Sequence, residues 1–263
     1  QKINFWLIVG DYLQNNILLL GGSGTLGKKI IKSKKFLNLK YPSKKKINIL
    51  NIKNLENYIL KNQIKIIIHC AAIARVKECE KNKIKAKKVN INGTHNIVKT
   101  ILKLKKNKNI YIKLIFLSSD AVYPSLKGNY KETDRLDPYN TYGKTKYFAE
   151  KHVKKLKKFI IIRTRFFDKN KIRFKYSARN IFTSAIEVNL LVKHIAYLNN
   201  KNFQGIINIG GPKISDYLKY KKYQKNLKAC DKEKIFNELN FKIASDASMN
   251  TSKLKKFYEK SKY

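Results

Sequence analysis

Two residues four positions apart can do acid–base chemistry together: Tyr142 and Lys146, in Asp137-Pro138-Tyr139-Asn140-Thr141-Tyr142-Gly143-Lys144-Thr145-Lys146. If the stretch from Lys144 to Leu156 is helical, that spacing puts both on one face about a turn apart. A free phenol has a pKa of ~10, too high to exchange protons readily at neutral pH. A cation held beside it favours the phenolate and brings the pKa toward the working range. In a chain with 59 Lys and Arg residues the pair also arises by chance, so its weight comes from what stands upstream. There, Ile17-Leu18-Leu19-Leu20 runs directly into Gly21-Gly22-Ser23-Gly24-Thr25-Leu26-Gly27, and Lys28-Lys29-Ile30-Ile31 opens a helix. Glycines between a buried strand and a helix allow a tight turn and close approach of a pyrophosphate to the helix N-terminus. Alone such a loop is often only a turn; between a strand and a helix it points to a nucleotide site.

The elements that must position these groups follow from the apolar runs. Phe36 to Leu39, Ile47 to Ile52, Ile64 to His69, Leu114 to Leu117, Ile160 to Ile162 and Ile206 to Ile209 read as further strands. Helices are expected from Leu55 to Leu60 and from about Asn90 to Leu104. Strands alternating with helices predict a Rossmann-type, doubly wound parallel α/β sheet, with ligands outside the carboxyl ends of the strands. The sheet domain is placed at residues 16–162, and a small C-terminal lobe and tail, interleaved with it, at 163–263. Residues 1–15 are assigned to neither. A dinucleotide site specific for NAD would carry an acid near the end of the second strand. The chain instead reads Lys40-Tyr41-Pro42-Ser43-Lys44, which leans toward NADP, with NAD the alternative.

Length and composition bound the rest. A chain of 263 residues, 43% of them hydrophobic, can bury one substantial core. Its formal charge of +42 would ordinarily point to nucleic acid. The lysines are spread over the whole length, Arg is scarce, and no zinc finger or RNP motif is present, so no specific nucleic-acid partner is expected. Cys70, Cys79 and Cys230 have no paired spacing and read as free thiols of a reducing, cytoplasmic compartment. His69, His95, His152 and His194 lie at no metal-ligand spacing, and no apolar run reaches the ~18 residues of a membrane span.

The ordered set Gly21…Gly24…Gly27, His69-Cys70-Ala71-Ala72, Asn90-x-x-Gly93-Thr94, Ser118-Ser119-Asp120-x-Val122-Tyr123 and Pro138-x-x-x-Tyr142-Gly143-x-x-Lys146 resembles the extended short-chain dehydrogenase/reductase family. The resemblance covers about residues 16 to 215. Within the family, Ser118 to Tyr123, Tyr130-x-Glu132, Ala149-Glu150 and Ile207 to Ser215 are similar to the dTDP-4-dehydrorhamnose reductase branch.

That resemblance implies an NAD(P)H-dependent reduction of a 4-keto sugar nucleotide, with a homodimer among the assemblies it allows. Ser119, Tyr142 and Lys146 would be catalytic. Gly21, Ser23, Gly24, Thr25, Leu26 and Gly27 would hold the cofactor pyrophosphate, and Ala71 and Ala72 would flank its adenine side. Asn51 stands where the family's adenine-contacting Asp belongs, Asn90 would brace the sheet, and Tyr142 and Lys146 would reach the nicotinamide ribose. Two further roles are open on the same residues: an NAD-dependent sugar-nucleotide epimerase, and a cofactor-binding regulatory subunit without turnover. A 4,6-dehydratase is disfavoured, because the base expected after Asp120 is Ala121. The stretch from Arg163 to Thr183 is short for a full substrate lobe, implying a reduced pocket. Asp246 to Leu254 resembles the family's closing segment, which implies an end near the natural C-terminus.

Overall fold

Asn16–Leu20 forms β1 and leads through the glycine loop into α1, Thr25–Ser33. This computed structural model describes residues 15–239 and 244–260. In chain order come β2 Leu39–Lys40, α2 Ile52–Lys61, β3 Ile64–His69, α3 Val76–Lys81, α4 Lys83–Lys87, α5 Gly93–Lys108 and β4 Lys113–Leu117. Then follow α6 Thr141–Val153, β5 Phe159–Thr164, α7 Val188–Asn200, β6 Gly205–Ile209, α8 Asp216–Lys221, α9 Lys232–Leu239 and α10 Ser252–Lys260.

The six strands make one parallel sheet in the order β6-β5-β4-β3-β1-β2. Their side chains alternate between two apolar layers, as the two-residue strand period requires. Ile17, Leu19, Ile115, Leu117, Ile160 and Ile162 face α1, α7 and α10 through Leu26, Ile30, Leu191, Ile195 and Leu254. Leu18, Leu20, Leu114, Phe116 and Ile161 face α2, α5 and α6 through Leu55, Ile59, Ile97, Ile101, Ala149 and Val153. The strand order turns back between β1 and β3, so a crevice opens at their carboxyl ends.

Two expected strands differ. Ile47 to Ile52 is not a strand but a turn at Ile49 and Leu50 that runs into α2, because short polar side chains there bond the local backbone. Asn48 Oδ1 accepts from Leu50 N at 3.0 Å, and Asn51 Oδ1 accepts from Asn54 N at 2.9 Å as the N-cap of α2. Ile47 and Ile49 are buried all the same, as plugs beneath α2 and α5. The second strand is shifted to Leu39–Lys40: Asn38 adopts φ +52°, which breaks an extended run starting at Phe36.

After Thr164 the chain builds a lobe of short pairings, while α7 and β6 return to the main sheet. Phe166–Phe167 pairs with Ile186–Glu187, Tyr176–Ala178 with Lys228–Cys230, and Phe182–Thr183 antiparallel with Ile214–Ser215. Cys70, Cys79 and Cys230 are free thiols. Among the described residues no helix is long and apolar enough to cross a membrane, and no group of His, Cys, Asp and Glu side chains could hold a metal ion.

Candidate active site

The crevice at the strand ends is a cleft of about 630 Å³. The glycine loop and the first turn of α1 (Gly21, Gly24, Thr25, Leu26 and Gly27) form one wall. Cys70 and Ala72 lie beyond β3, Ser119 and Asp120 beyond β4, and Thr164 and Arg165 at and just past the end of β5. Tyr142 and Lys146 project into the same space from the first two turns of α6. Asn140 caps that helix, its Oδ1 accepting from Gly143 N at 2.7 Å, which fixes where the tyrosine enters.

Close packing sets the shape of the loop. Gly21 has φ +93°, and a Cβ on Gly27 would stand 2.3 Å from the Gly21 carbonyl oxygen. Gly27→Ala is therefore expected to push the loop off α1, lower stability by about 1–3 kcal/mol as overpacking does, and weaken nucleotide binding. Urea unfolding and a cofactor titration check this; an unchanged pair of values rules the packing argument out.

The Ser119 hydroxyl donates to Asp120 Oδ1 at 2.9 Å and accepts from Ala121 N at 3.2 Å. The other Asp120 oxygen lies 2.6 Å from Arg165 Nε. Burial works against the Arg165 charge, but Asp120 first and Asp216 next more than offset it. On the far side, Lys219 is buried and bonds Asp216 and Thr183 Oγ1, the latter at 2.6 Å. Charges of alternating sign thus run from Ser119 into the lobe.

Burial pulls the Lys146 ammonium down to about 8, with Cys70 and Glu150 acting in the opposite direction. Its Nζ lies 4.1 Å from the centroid of the Phe116 ring, and no carboxylate stands within ion-pair distance among the described residues. The Tyr142 phenol is pushed upward, by burial first and Asp120 second, while a hydrogen bond with Ser119 works the other way. This corrects the expectation from spacing: the Tyr142 phenol is raised, because burial and Asp120 both act against the phenolate. Beside the cleft, burial pushes the Cys70 thiol up to about 12 and the His69 imidazole down to about 3, so both are neutral.

Residues 15–188 match the family described as RmlD substrate binding domain. The chain belongs to the extended short-chain dehydrogenase/reductase family, in its RmlD-like branch. Among curated relatives of this reductase-fold chain, methionine adenosyltransferase 2 subunit beta of Bos taurus is 30% identical over 146 residues, 52% of the chain. The chain spans 42% of that relative's length. A solved dTDP-4-dehydrorhamnose reductase of Bacillus anthracis, in complex with NADP, superposes at TM-score 0.80 with 21% identity over 91% of each chain. A hypothetical dTDP-4-dehydrorhamnose reductase of Sulfolobus tokodaii gives 0.77 at 26% identity, over 92% of this chain and 94% of that one.

Within this short-chain dehydrogenase/reductase fold, Ser119, Tyr142, Lys146, Gly21, Gly24, Thr25, Leu26, Gly27 and Ala72 converge on the cleft. Ser23, Asn51, Ala71 and Asn90 do not line it. Asn51 is exposed and engaged as the α2 cap. Asn90 acts one step back, from a π turn at Lys88–Asn92 of the kind that often re-aims a side chain near a site. Its Oδ1 accepts from Ile73 N at 2.8 Å, and its Nδ2 donates to Thr145 Oγ1 at 2.9 Å, tying the loop after β3 to α6. Arg165, Thr164 and Asp216 also line the cleft and were not singled out in the sequence. The signal for Arg165 was its place two residues beyond Arg163 at a strand end, where ligand contacts gather.

Proposed function

We propose that this chain reduces a 4-keto sugar nucleotide with NADPH. The observation that carries this reading is the meeting of Ser119, Tyr142 and Lys146 in one cleft beneath the glycine loop. The cleft suits a nicotinamide dinucleotide. Its glycine loop admits a diphosphate, its buried ammonium faces no carboxylate, and Thr164 Oγ1 is buried without a hydrogen-bond partner among the described residues. Gly21 to Gly27 and the α1 N-terminus would hold the diphosphate, and Lys146 a ribose diol. The bound cofactor supplies the hydride.

The chain's own residues supply the rest. Ser119 turns its hydroxyl from Asp120 toward the ketone oxygen and holds it as charge develops there. Arg165, paired to the second Asp120 oxygen, keeps that carboxylate compensated when the serine leaves it. Tyr142, protonated across neutral pH, gives its proton to the forming alkoxide. The buried methyl of Ala121 has no proton acceptor to offer, which supports reduction over a 4,6-dehydration.

NADPH is favoured over NADH because no acid follows β2, where Lys40 and Lys44 stand. Fluorescence titration with both cofactors, followed by keto-sugar nucleotides, tests the reading. NADPH is expected to bind about tenfold tighter, the worth of a charge-assisted contact to a 2′-phosphate. A clear preference for NADH would refute the cofactor assignment and favour the epimerase role. The identity to methionine adenosyltransferase 2 subunit beta supports a second reading, a cofactor-binding regulatory subunit. Tight cofactor binding with no turnover on any keto-sugar nucleotide would select it.

A further inference from the structure

A second cavity, of about 430 Å³, lies at the opposite end of the sheet, where β3, β4 and β5 begin. Lys65, Lys113, Lys158, Tyr111, Asn199 and Asn202 line it, and no Asp or Glu is among its lining residues. Most lysines of this chain extend into solvent, but Lys113, the first residue of β4, is 8% exposed. Its Nζ has one long bond, 3.4 Å to Asn202 Oδ1, and no carboxylate lies within ion-pair distance among the described residues. Asn199, on the last turn of α7, is 7% exposed, and its Oδ1 is buried with no hydrogen-bond partner among the described residues. A side-chain amide can present N–H in place of C=O by a half-turn, so the same position can serve as a donor. At the mouth, the ring of Tyr111 is flanked by Lys158 at 5.5 Å and Lys105 at 5.7 Å.

A buried cation without a counter-charge is costly, and a buried amide oxygen without a partner adds to that cost. One small multivalent oxyanion would relieve both. We propose that this cavity binds a phosphate group, free or carried on a small metabolite, with Lys113 as the buried cation and Lys158 and Lys65 as the outer ones. The site is separate from the nucleotide cleft, which opens at the other ends of the same strands. Burial first, and Lys158 second, pull the Lys113 ammonium down to about 8, so near that pH part of the population is neutral. An anion favours the charged form, so binding just above that pH takes up a proton.

The test is calorimetric titration of the whole chain with inorganic phosphate, and separately with a sugar phosphate, at pH 8.5 and constant ionic strength. Runs in buffers of different ionisation enthalpy count the protons taken up. Phosphate is expected to bind with proton uptake, and Lys113→Met to abolish the uptake and weaken binding about tenfold or more, as loss of a charged hydrogen bond does. Lys158→Met, an exposed change that leaves the core intact, is expected to weaken binding several-fold. Lys99→Met, which removes an exposed lysine elsewhere, is expected to change nothing. Tighter binding of the sugar phosphate than of phosphate identifies a metabolite, and equal binding identifies the free ion. Equal losses in all three variants would mean diffuse attraction to a chain of charge +42 and would overturn the proposal, as would an absence of binding. Destabilisation by Lys113→Met with the phosphate response intact also overturns it, leaving that lysine as a structural partner of Asn202.

Discussion

Replacing Tyr142 by phenylalanine is expected to lower turnover of a keto-sugar nucleotide by ~10²–10⁴-fold, the worth of a positioned general acid. Cofactor affinity should stay nearly unchanged, because the ring remains and only the hydroxyl is lost. The phenol is buried and next to Asp120, and both raise its pKa, so it holds its proton through neutral pH. A protonated donor is the form that reduction needs. The tyrosine's own contribution to turnover should therefore be flat through neutrality and be lost only in strong alkali. Lys146 behaves differently: its ammonium is lost as pH rises through about 8. Lys146→Met should impair cofactor binding and turnover together, and weaker cofactor binding is expected in the parent protein above that pH. Single-turnover kinetics beside cofactor titrations separate the two variants. Turnover untouched by Tyr142→Phe would remove the tyrosine from the chemistry.

How far these features can be read from the chain depends on how local their causes are. Gly21 to Gly27 announces itself because a strand, a tight turn and a helix start are all encoded within a dozen residues. Tyr142 and Lys146 were legible because helical spacing alone brings them to one face, and α6 contains both. The direction of the tyrosine's shift was not legible. It depends on burial first and on Asp120 second, and both act on the phenol only once β4 and α6 are packed together. The strand expected at Ile47 to Ile52 shows the converse failure, an apolar alternation overruled by Asn48 and Asn51 bonding their own backbone. Arg165 and Lys113 were hidden in a sequence where basic residues are everywhere. What distinguishes them is the company they keep, Asp120 for Arg165, and for the buried Lys113 no carboxylate within ion-pair distance among the described residues.

Arg163→Met is expected to lower unfolding free energy by about 3–5 kcal/mol, the cost of stranding one partner of a buried ion pair. Arg163 is 1% exposed and Glu150 is fully buried. Arg163 Nε and Nη2 donate to the two Glu150 oxygens at 3.1 and 2.8 Å, a bidentate pairing. Its Nη1 also donates to Tyr123 Oη at 2.9 Å and to the Glu132 carbonyl at 3.0 Å. The Tyr123 hydroxyl donates to Asn208 Oδ1 at 2.9 Å, and Ser118 Oγ donates to Glu150 at 2.6 Å. One guanidinium therefore links β5, α6, the loop after β4 and β6. Methionine fills much of the volume but satisfies none of these acceptors, so the Glu150 carboxylate is left buried with Ser118 as its remaining donor. Adding Glu150→Leu to Arg163→Met should recover part of the loss, because the double variant strands no charge. Because Ser118 is bonded to Glu150 and precedes Ser119, the single variant should also lose turnover under conditions where it is still folded. Urea unfolding of the parent, both single variants and the double variant measures the coupling. A single-variant loss under about 1 kcal/mol, within the range of an exposed ion pair, would mean that water or a relaxed backbone replaces the network. In that case the network would have no part in holding the serine in place.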